Sequence, residues 1–178
     1  MPANPEFFRR YVNPVFIETG TYLCEGIELA LEAGFAEVRS VELSEKLYAK
    51  AVARYAERKN VRLFLGTSET QLWNMIADVR SPMTFWLDAH FSGGITAKGP
   101  ENSPVLKELR IIGNHPIKNH IILIDDRRQV GTADFDFTTE AQIRAAILAI
   151  NPHYKISYDT GSHAQAMFAD DVIVARAA

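Results

Sequence analysis

The sequence predicts a doubly wound α/β fold, in which a mostly parallel sheet carries helices on both faces. Short apolar runs typical of buried parallel strands alternate along the chain with segments whose apolar residues recur at helical spacing. The last two strand-like segments are joined by a short turn without a helix, so this pair is expected to be antiparallel. We therefore expect one domain over residues 1–178.

Seven segments have the composition of β-strands. The first ends at Glu18, and the third is followed by Gly66. The fourth and fifth are near-continuous apolar runs that each end at an acid, as expected for strands buried on both faces. In chain order, the predicted strands cover 15–18, 37–43, 61–65, 83–88, 120–124, 155–159 and 167–175.

The segments between the strands have helical periodicity and recognisable ends. Gly34 is placed to end one helix, Ser44 to cap the next, and Thr67 or Ser68 to cap the one after. Pro104 opens a further helix at a first-turn position, where its missing N–H group is not needed. In chain order, the predicted helices cover 5–13, 22–31, 44–57, a segment from 67 or 68, a segment from 104, and 138–150.

Composition excludes several classes of protein. The chain is 47% hydrophobic and 23% charged with a net charge of −3, which is typical of a soluble globular protein. Lysine and arginine form no long run, so no nucleic-acid partner is expected. No apolar stretch is long enough for a membrane helix and no secretory signal is recognisable, so we expect a cytoplasmic location. The single cysteine, Cys24, excludes an internal disulfide.

Polar residues follow the carboxyl ends of the predicted parallel strands. Ligands of open α/β sheets bind outside this edge, so we predict the functional site there. Like charges that converge at one crevice need a cation or hydroxyl partners. The residues concerned are Glu18, Gly20, Glu42, Gly66, Thr67, Ser68, Asp88, His90, Asp125 and Asp126.

Glu42 is a candidate for binding ribose. It ends the second strand about 20 residues after Gly20, which is where an acid accepts hydrogen bonds from ribose hydroxyls. The alternative is a surface glutamate joined to Ser44 at a helix start. The turn at Gly20 has no phosphate-binding glycine pattern, and Glu18 would repel a pyrophosphate. An acidic turn favours a cationic or zwitterionic nucleoside, a description that fits S-adenosylmethionine.

From residue 15 to residue 175 the sequence resembles the class I S-adenosylmethionine-dependent methyltransferases. Glu18 and Gly20 match the family's acid-x-Gly turn, and Glu42 matches its ribose-binding acid. The resemblance implies a Rossmann-like sheet of strand order 3-2-1-4-5-7-6, with adenine lined by the residues after the third strand. The cofactor-binding residues that it implies are Glu18, Gly20, Tyr22, Glu42, Gly66, Thr67, Ser68 and Asp88.

Asp88, Asp125 and Asp126 carry a second resemblance, to metal-dependent O-methyltransferases that act on catechols or macrolide sugars. Those enzymes hold Mg²⁺ with an acid after strand four and an acidic pair after strand five, and oxygen ligands suit this ion. The resemblance therefore implies a metal site at the three aspartates. Alternatively, Asp88 contacts the cofactor, while the acidic pair closes a turn with Arg127 and Arg128 as ion-pair partners.

His90 is the candidate catalytic base, and Asp88 is the other candidate catalytic residue. Catechol-type enzymes have a lysine three residues after the strand-four acid, and Phe91 occupies that position here. A histidine pKa suits proton transfer near neutral pH, although His90 could instead bind substrate or hydrogen-bond to the backbone. The remaining histidines show no metal-ligand spacing and are interpreted as structural: His115, His120, His153 and His163.

The predicted function is methyl transfer from S-adenosylmethionine to a hydroxyl of a small molecule such as a sugar, phenol or polyketide. The acceptor is expected between the loops 89–103 and 127–137, with Phe91 and Phe135 as walls. Aromatic residues in the N-terminal segment, residues 1–14, suggest a homodimer. Two alternatives remain: a metal-dependent oxygenase or hydrolase on the same fold, and a non-catalytic nucleoside-binding protein, which Cys24 and the missing lysine would favour.

Overall fold

Seven strands lie within the residues that the structure describes. The structure, a computed structural model, describes residues 5–89, 101–161 and 168–177. The strands are β1 Val15–Thr19, β2 Glu37–Glu42, β3 Val61–Leu65, β4 Met83–Leu87, β5 Ile121–Ile124, β6 Tyr154–Asp159 and β7 Val172–Ala177. The last strand begins later than predicted, and Met167, its predicted first residue, lies outside the described residues.

The strands form a single sheet in the order β3-β2-β1-β4-β5-β7-β6, which confirms the predicted order. β1 to β5 are mutually parallel, and β7 pairs antiparallel with both β5 and β6. The order reverses at β1, whose neighbours are β2 and β4. The carboxyl ends of these three strands therefore flank the crevice where ligands of open α/β sheets bind.

Six α-helices accompany the strands in the described part of the chain. One helix begins later than predicted: its first residue is Glu25 rather than Tyr22, because Tyr22 and Cys24 have left-handed φ angles of 45° and 71°. The N-terminal helix is also shorter than the predicted 5–13. The helices are α1 Glu6–Arg9, α2 Glu25–Ala33, α3 Glu45–Arg54, α4 Ser68–Ile76, α5 Val105–Asn114 and α6 Glu140–Ile150.

The hydrophobic core has two parts, one on each face of the sheet. α4, α5 and α6 pack on one face and α1, α2 and α3 on the other. Alternation along the strands supplies both parts: Ile17 and Phe85 belong to the first, and their neighbours Phe16 and Trp86 belong to the second. Helices on both faces were predicted from the sequence, and the structure confirms them.

The N-terminal aromatic residues belong to this core. Phe7, Phe8 and Tyr11 are at most 6% exposed. The ring of Phe8 lies 5.0 Å from that of Phe16 and 5.2 Å from that of Trp86, in edge-to-face geometry. These side chains therefore cover the sheet. Their apolar area is buried within the chain, so they do not support the homodimer that the sequence suggested.

His115 and His120 form a fully buried pair between β4 and α5. His120 accepts the Met83 N–H at Nδ1 and approaches His115 Nδ1 with its Nε2 at 3.1 Å. His115 Nε2 lies 3.2 Å from the carbonyl oxygen of Val79. Neutral rings protonated at Nε2 satisfy all these contacts, and burial together with His115 lowers the pKa of His120 to about 4. The pair therefore supports the sheet, in line with the structural interpretation.

Across the described residues, no helix combines the length and the apolar character that crossing a membrane requires.

Candidate functional site at the carboxyl edge of the sheet

The turn after β1 brings the backbones of three strands together. The Gly20 and Thr21 N–H groups both donate to the carbonyl oxygen of Val41, at 3.0 and 3.1 Å. Gly20 has a φ of 93°, and a Cβ atom there would lie 2.5 Å from the carbonyl oxygen of Asp88. Only glycine combines this left-handed backbone with so close an approach. The turn is therefore packed directly on the end of β4.

Glu42 stands at the end of β2, beside this turn. Its carboxylate accepts the Tyr22 N–H and the Ser44 N–H, each at 2.8 Å. The contact with Ser44 is the one that the alternative interpretation expected, but Glu42 is only 6% exposed and is not a surface residue. A carboxylate has about four lone-pair sites, so Glu42 can still accept hydrogen bonds from a ligand's hydroxyls. The two backbone contacts fix its orientation.

Glu18 lies beneath the turn and is 2% exposed. The Ser40 hydroxyl donates to Glu18 Oε2 at 2.5 Å, and a Cβ atom on Gly26 would lie 1.8 Å from Oε1. Burial raises the pKa of Glu18 to about 8, and the charges of Asp88 and Glu42 act in the same direction. The carboxyl therefore holds a proton at neutral pH, so the turn is less acidic than the sequence suggested.

A cavity of about 200 Å³ opens beside Glu18, between the start of α2 and the end of β4. Gly20, Tyr22 and Asp88 line it, as the sequence predicted for a ligand site, together with Phe8 and Trp86. The two aromatic residues were not predicted at the site. Trp86 could have been found from strand alternation, which turns it to the face of α2. Phe8 depends on how the N-terminal segment packs.

The residues after β3 form the start of α4. The Gly66 N–H donates to the carbonyl oxygen of Glu42 at 2.9 Å, which ties this turn to the end of β2. Thr67 is the N-cap, and its hydroxyl accepts the Thr70 N–H. Ser68 is 5% exposed, and its hydroxyl lies close enough to Glu108 of α5 to lower the pKa of that carboxyl. This hydroxyl is therefore buried between α4 and α5 at this edge of the sheet.

Glu108 is a buried acid that the sequence gave no reason to single out. It belongs to α5 and is 1% exposed. Burial raises its pKa to about 7, against the lowering effect of the nearby Ser68 and Thr19 hydroxyls. Thr19 in turn accepts the Asp88 N–H at 3.3 Å. Glu108 therefore links α5 to Thr19, at the end of β1, and to Ser68, at the start of α4.

Asp88, Asp125 and Asp126 come together at the ends of β4 and β5. One carboxylate oxygen from each can be chosen so that all three lie within 4.8 Å of one another. Asp88 is part-exposed, while Asp125 and Asp126 are buried. Three hard oxygen donors at this spacing fit the ligand preference of Mg²⁺, which usually keeps several waters as further ligands. The donor set is therefore compatible with a divalent cation.

The ion pair of the alternative interpretation is present for only one of the two arginines. Arg128 Nη1 lies 2.5 Å from Asp126 Oδ1 and also contacts Asp171. Arg127 points elsewhere: its Nε donates to Glu140 at 3.0 Å, and its guanidinium lies 3.9 Å from the centre of the Tyr158 ring. The acidic cluster and the Arg128 pair coexist, so the sequence alternatives do not exclude each other.

The loop after β5 is folded against the end of the other predicted substrate loop. The Asp136 carboxylate accepts the N–H groups of Asn102 and Ser103, at 2.8 and 3.0 Å. Phe135, predicted as a substrate wall, is 2% exposed and packs in the core, so this prediction was wrong. Phe137 is the exposed aromatic residue of the loop, at 70%. The candidate base His90, its neighbour Phe91 and the rest of the segment 90–100 lie outside the described residues.

No protein-family model matches the chain, and no curated protein matches it. Solved structures do match. An O-methyltransferase from Bacillus cereus, in complex with SAH, shares 14% identity over 98% of this chain and 78% of its own, with a TM-score of 0.60. The O-methyltransferase TomG from Streptomyces achromogenes, involved in tomaymycin synthesis and solved with SAM, shares 13% identity over 97% and 77%, with a TM-score of 0.60.

A third match is the O-methyltransferase NcsB1 from neocarzinostatin biosynthesis, in complex with S-adenosyl-L-homocysteine and 1,4-dihydroxy-2-naphthoic acid. It shares 8% identity over 93% of this chain and 49% of its own, with a TM-score of 0.56. Matches at such identities establish the fold alone. The chain has the Rossmann-like fold of the S-adenosylmethionine-dependent O-methyltransferases, as the sequence resemblance implied.

Proposed function

We propose that this protein is an S-adenosylmethionine-dependent methyltransferase that methylates an oxygen of a small molecule. The observation that carries the proposal is the Gly20 turn, which closes on Asp88 at one side and on Glu42 at the other. This turn lies at the switch in strand order, where α/β sheets bind nucleosides. The fold shared with O-methyltransferases supports the same conclusion.

In this proposal, each part of the cofactor has its own partners. Glu42 accepts the ribose hydroxyls, because its carboxylate is held at the edge by backbone N–H groups. Adenine lies against residues 66–68, which the Gly66 N–H ties to the end of β2 beside Glu42. The methionine part enters the cavity beside Glu18 and Gly20, near Tyr22. A cationic ligand suits this cavity, since a nearby positive charge would favour ionised Glu18.

The three aspartates would hold Mg²⁺. Asp88, Asp125 and Asp126 provide oxygen ligands within 4.8 Å of one another. When bound, this ion would lower the pKa of the acceptor hydroxyl and orient it. The protein's own part is alignment: methyl transfer is an in-line displacement, so the strand ends must hold donor and acceptor at a fixed distance. His90 is the proposed proton acceptor.

The acceptor would lie next to the loop 127–137, which Asp136 fastens to residues 102 and 103. A hydroxylated small molecule is the proposed class, in keeping with the dihydroxynaphthoic acid bound to NcsB1. The exposed ring of Phe137 offers an apolar surface in this loop. The oxygenase alternative receives less support, because within residues 5–89, 101–161 and 168–177 the acidic cluster consists of carboxylates, without the two histidines of a facial triad.

The proposal is tested by calorimetric titration of S-adenosylmethionine into the protein, with and without Mg²⁺. We expect binding by the natural chain and a loss of about 10- to 100-fold in Glu42→Gln, because a hydrogen bond to a charged group is worth about 1.5–3 kcal/mol. Glu45→Gln is the matched control, since it removes the same charge from an exposed position of α3. A folded protein that gives no binding heat at millimolar ligand would contradict the proposal.

A further inference from the structure

Arg128 is a positively charged residue that contacts the acidic cluster in the described part of the chain. Its Nη1 lies 2.5 Å from Asp126 Oδ1, and its side chain is about one-third exposed, whereas that of Asp126 is largely buried. Asp125 also interacts with the guanidinium electrostatically, since the charges of Asp126, Asp171 and Asp125 together raise the pKa of Arg128 despite the opposing effect of its burial. The guanidinium therefore stands where a cation bound to Asp126 would feel its charge.

Further contacts hold Arg128 and the turn that carries it in this place. Asp171, which is 7% exposed, accepts the Arg128 backbone N–H at 2.9 Å and pairs with its guanidinium. The guanidinium also lies over the Phe168 ring, 4.6 Å from its centre. The Arg127 backbone N–H donates to the carbonyl oxygen of Asp171 at 2.7 Å, so β7 and the turn after β5 are fastened together. The contacts with Asp171 and Phe168 therefore hold the guanidinium beside Asp126.

We propose that Arg128 is a positioning residue that competes with a divalent cation for the Asp88-Asp125-Asp126 cluster and thereby sets its metal affinity. The inference rests on the Mg²⁺ site of the proposed function and adds the residue that tunes it. A guanidinium about 5 Å from a divalent ion repels it, even in the dielectric of bulk water, enough to weaken binding about tenfold. This repulsion opposes the attraction of the three carboxylates.

The charge balance gives this competition a use. With Asp171 included, four carboxylates, one guanidinium and one divalent cation carry a net charge of −1 together. Without Arg128 this charge would be −2, which would repel an acceptor oxygen more strongly as it loses its proton. Arg128 therefore weakens metal binding but favours ionisation of the acceptor. The consequence is that the metal would bind more tightly when the acceptor is present.

The chain offers a matched control for this idea. Arg127 is adjacent to Arg128 and has the same charge, but its guanidinium pairs with Glu140 and Tyr158 rather than with the cluster. Arg127→Met and Arg128→Met thus remove the same charge from neighbouring positions. A third variant, Arg128→Lys, keeps the charge and changes the shape of the group.

The test is to titrate Mn²⁺ alone into the full chain and its variants, with electron paramagnetic resonance of the free ion as the readout. We expect Arg128→Met to tighten Mn²⁺ binding about tenfold. The Mn²⁺ affinity of Arg127→Met and of Arg128→Lys should remain within about threefold of that of the natural chain. The first variant removes a charge that lies further from the cluster, and the second keeps the charge beside it. Melting curves confirm that each variant is folded.

If Arg128→Met does not fold, Asp171→Asn tests the same inference. It keeps the acceptor for the Arg128 N–H but leaves Asp126 as the main partner of the guanidinium. We therefore expect Mn²⁺ binding several-fold weaker than in the natural chain, an effect of opposite sign.

Two results would overturn the inference, and only the second would also refute the proposed metal site. Unchanged or weaker Mn²⁺ binding in folded Arg128→Met, with binding by the natural chain, would refute the competition and leave the metal site. Absence of Mn²⁺ binding in the natural chain and in Arg128→Met alike would refute both. Neither result bears on the cofactor, which the S-adenosylmethionine titration tests separately.

Discussion

Replacing Gly20 by alanine should damage both stability and cofactor binding. Two costs combine at this position. An L-residue at a φ of 93° is strained by about 1–2 kcal/mol. The new Cβ would also lie 2.5 Å from the carbonyl oxygen of Asp88, a backbone atom that cannot rotate away, and overpacking of this kind costs about 1–3 kcal/mol. We therefore expect a loss of about 2–5 kcal/mol in the free energy of unfolding.

Gly34→Ala separates the two costs. Gly34 has a similar φ of 99°, but a Cβ atom there meets nothing within 4 Å. This variant should lose about 1 kcal/mol through backbone strain alone. In a chain of this size each kcal/mol lowers the melting temperature by about 2–4 °C, so calorimetry or circular dichroism distinguishes the two.

Cofactor binding gives the sharper contrast. Gly20→Ala should push the turn away from Asp88 and abolish measurable S-adenosylmethionine binding in a protein that is still folded at low temperature. Gly34 lies at the far end of α2, so Gly34→Ala should bind as the natural chain does. Equal melting temperatures for the two variants, together with preserved binding in Gly20→Ala, would show that the close approach of the turn to Asp88 is not needed.

Two predictions concern pH. The pKa of His120 is lowered to about 4, below its ordinary 6.5, so the unfolded chain takes up the proton first. His120 therefore contributes up to about 3 kcal/mol above pH 6.5 that is lost as the pH falls towards 4. Urea unfolding at a series of pH values measures this contribution. His120→Gln should flatten the dependence of the free energy of unfolding on pH, whereas the exposed control His153→Gln should keep the slope of the natural chain. A His120→Gln variant that keeps the natural slope would contradict the prediction. The pKa of Glu18 is raised from 4.5 to about 8, so its effect on the free energy of unfolding has the opposite sign: the contribution is fully present below pH 4.5 and is lost as the pH rises from 4.5 through 8. A cationic cofactor should expel the Glu18 proton on binding at pH 7. Calorimetric titration in buffers of different ionisation enthalpy measures this proton release. If Glu18→Gln releases as many protons as the natural chain, the proton does not come from Glu18.

Most element positions could be predicted because they depend on local signals, whereas the strand order came from the resemblance to the methyltransferase family. Apolar runs that end at an acid or a glycine, as at Glu18 and Gly66, mark strands, although only the first of these two is buried and β3, before Gly66, is an edge strand. The caps at Ser44 and Thr67 were correct for the same reason, since a cap needs only the N–H groups of its own first turn. The antiparallel end of the sheet followed from the short connection before β7.

The features that could not be predicted depend on distant partners. Tyr22 was assigned to a helix, but its N–H is held by the carboxylate of Glu42, 20 positions later. Arg128 is fixed by Asp171, 43 positions away, and no local pattern links them. Phe135 was expected to line the acceptor site, yet the 3₁₀ turn that contains it directs its ring into the core. Tertiary packing decides each of these.

The most direct test of the central claim is a crystal structure of the protein with S-adenosylhomocysteine. The ribose hydroxyls should lie within hydrogen-bonding distance of the Glu42 carboxylate, with adenine beside residues 66–68 and the amino-acid end in the cavity at Gly20. A ligand bound elsewhere, or a nucleoside whose ribose does not contact Glu42, would contradict the proposed cofactor site.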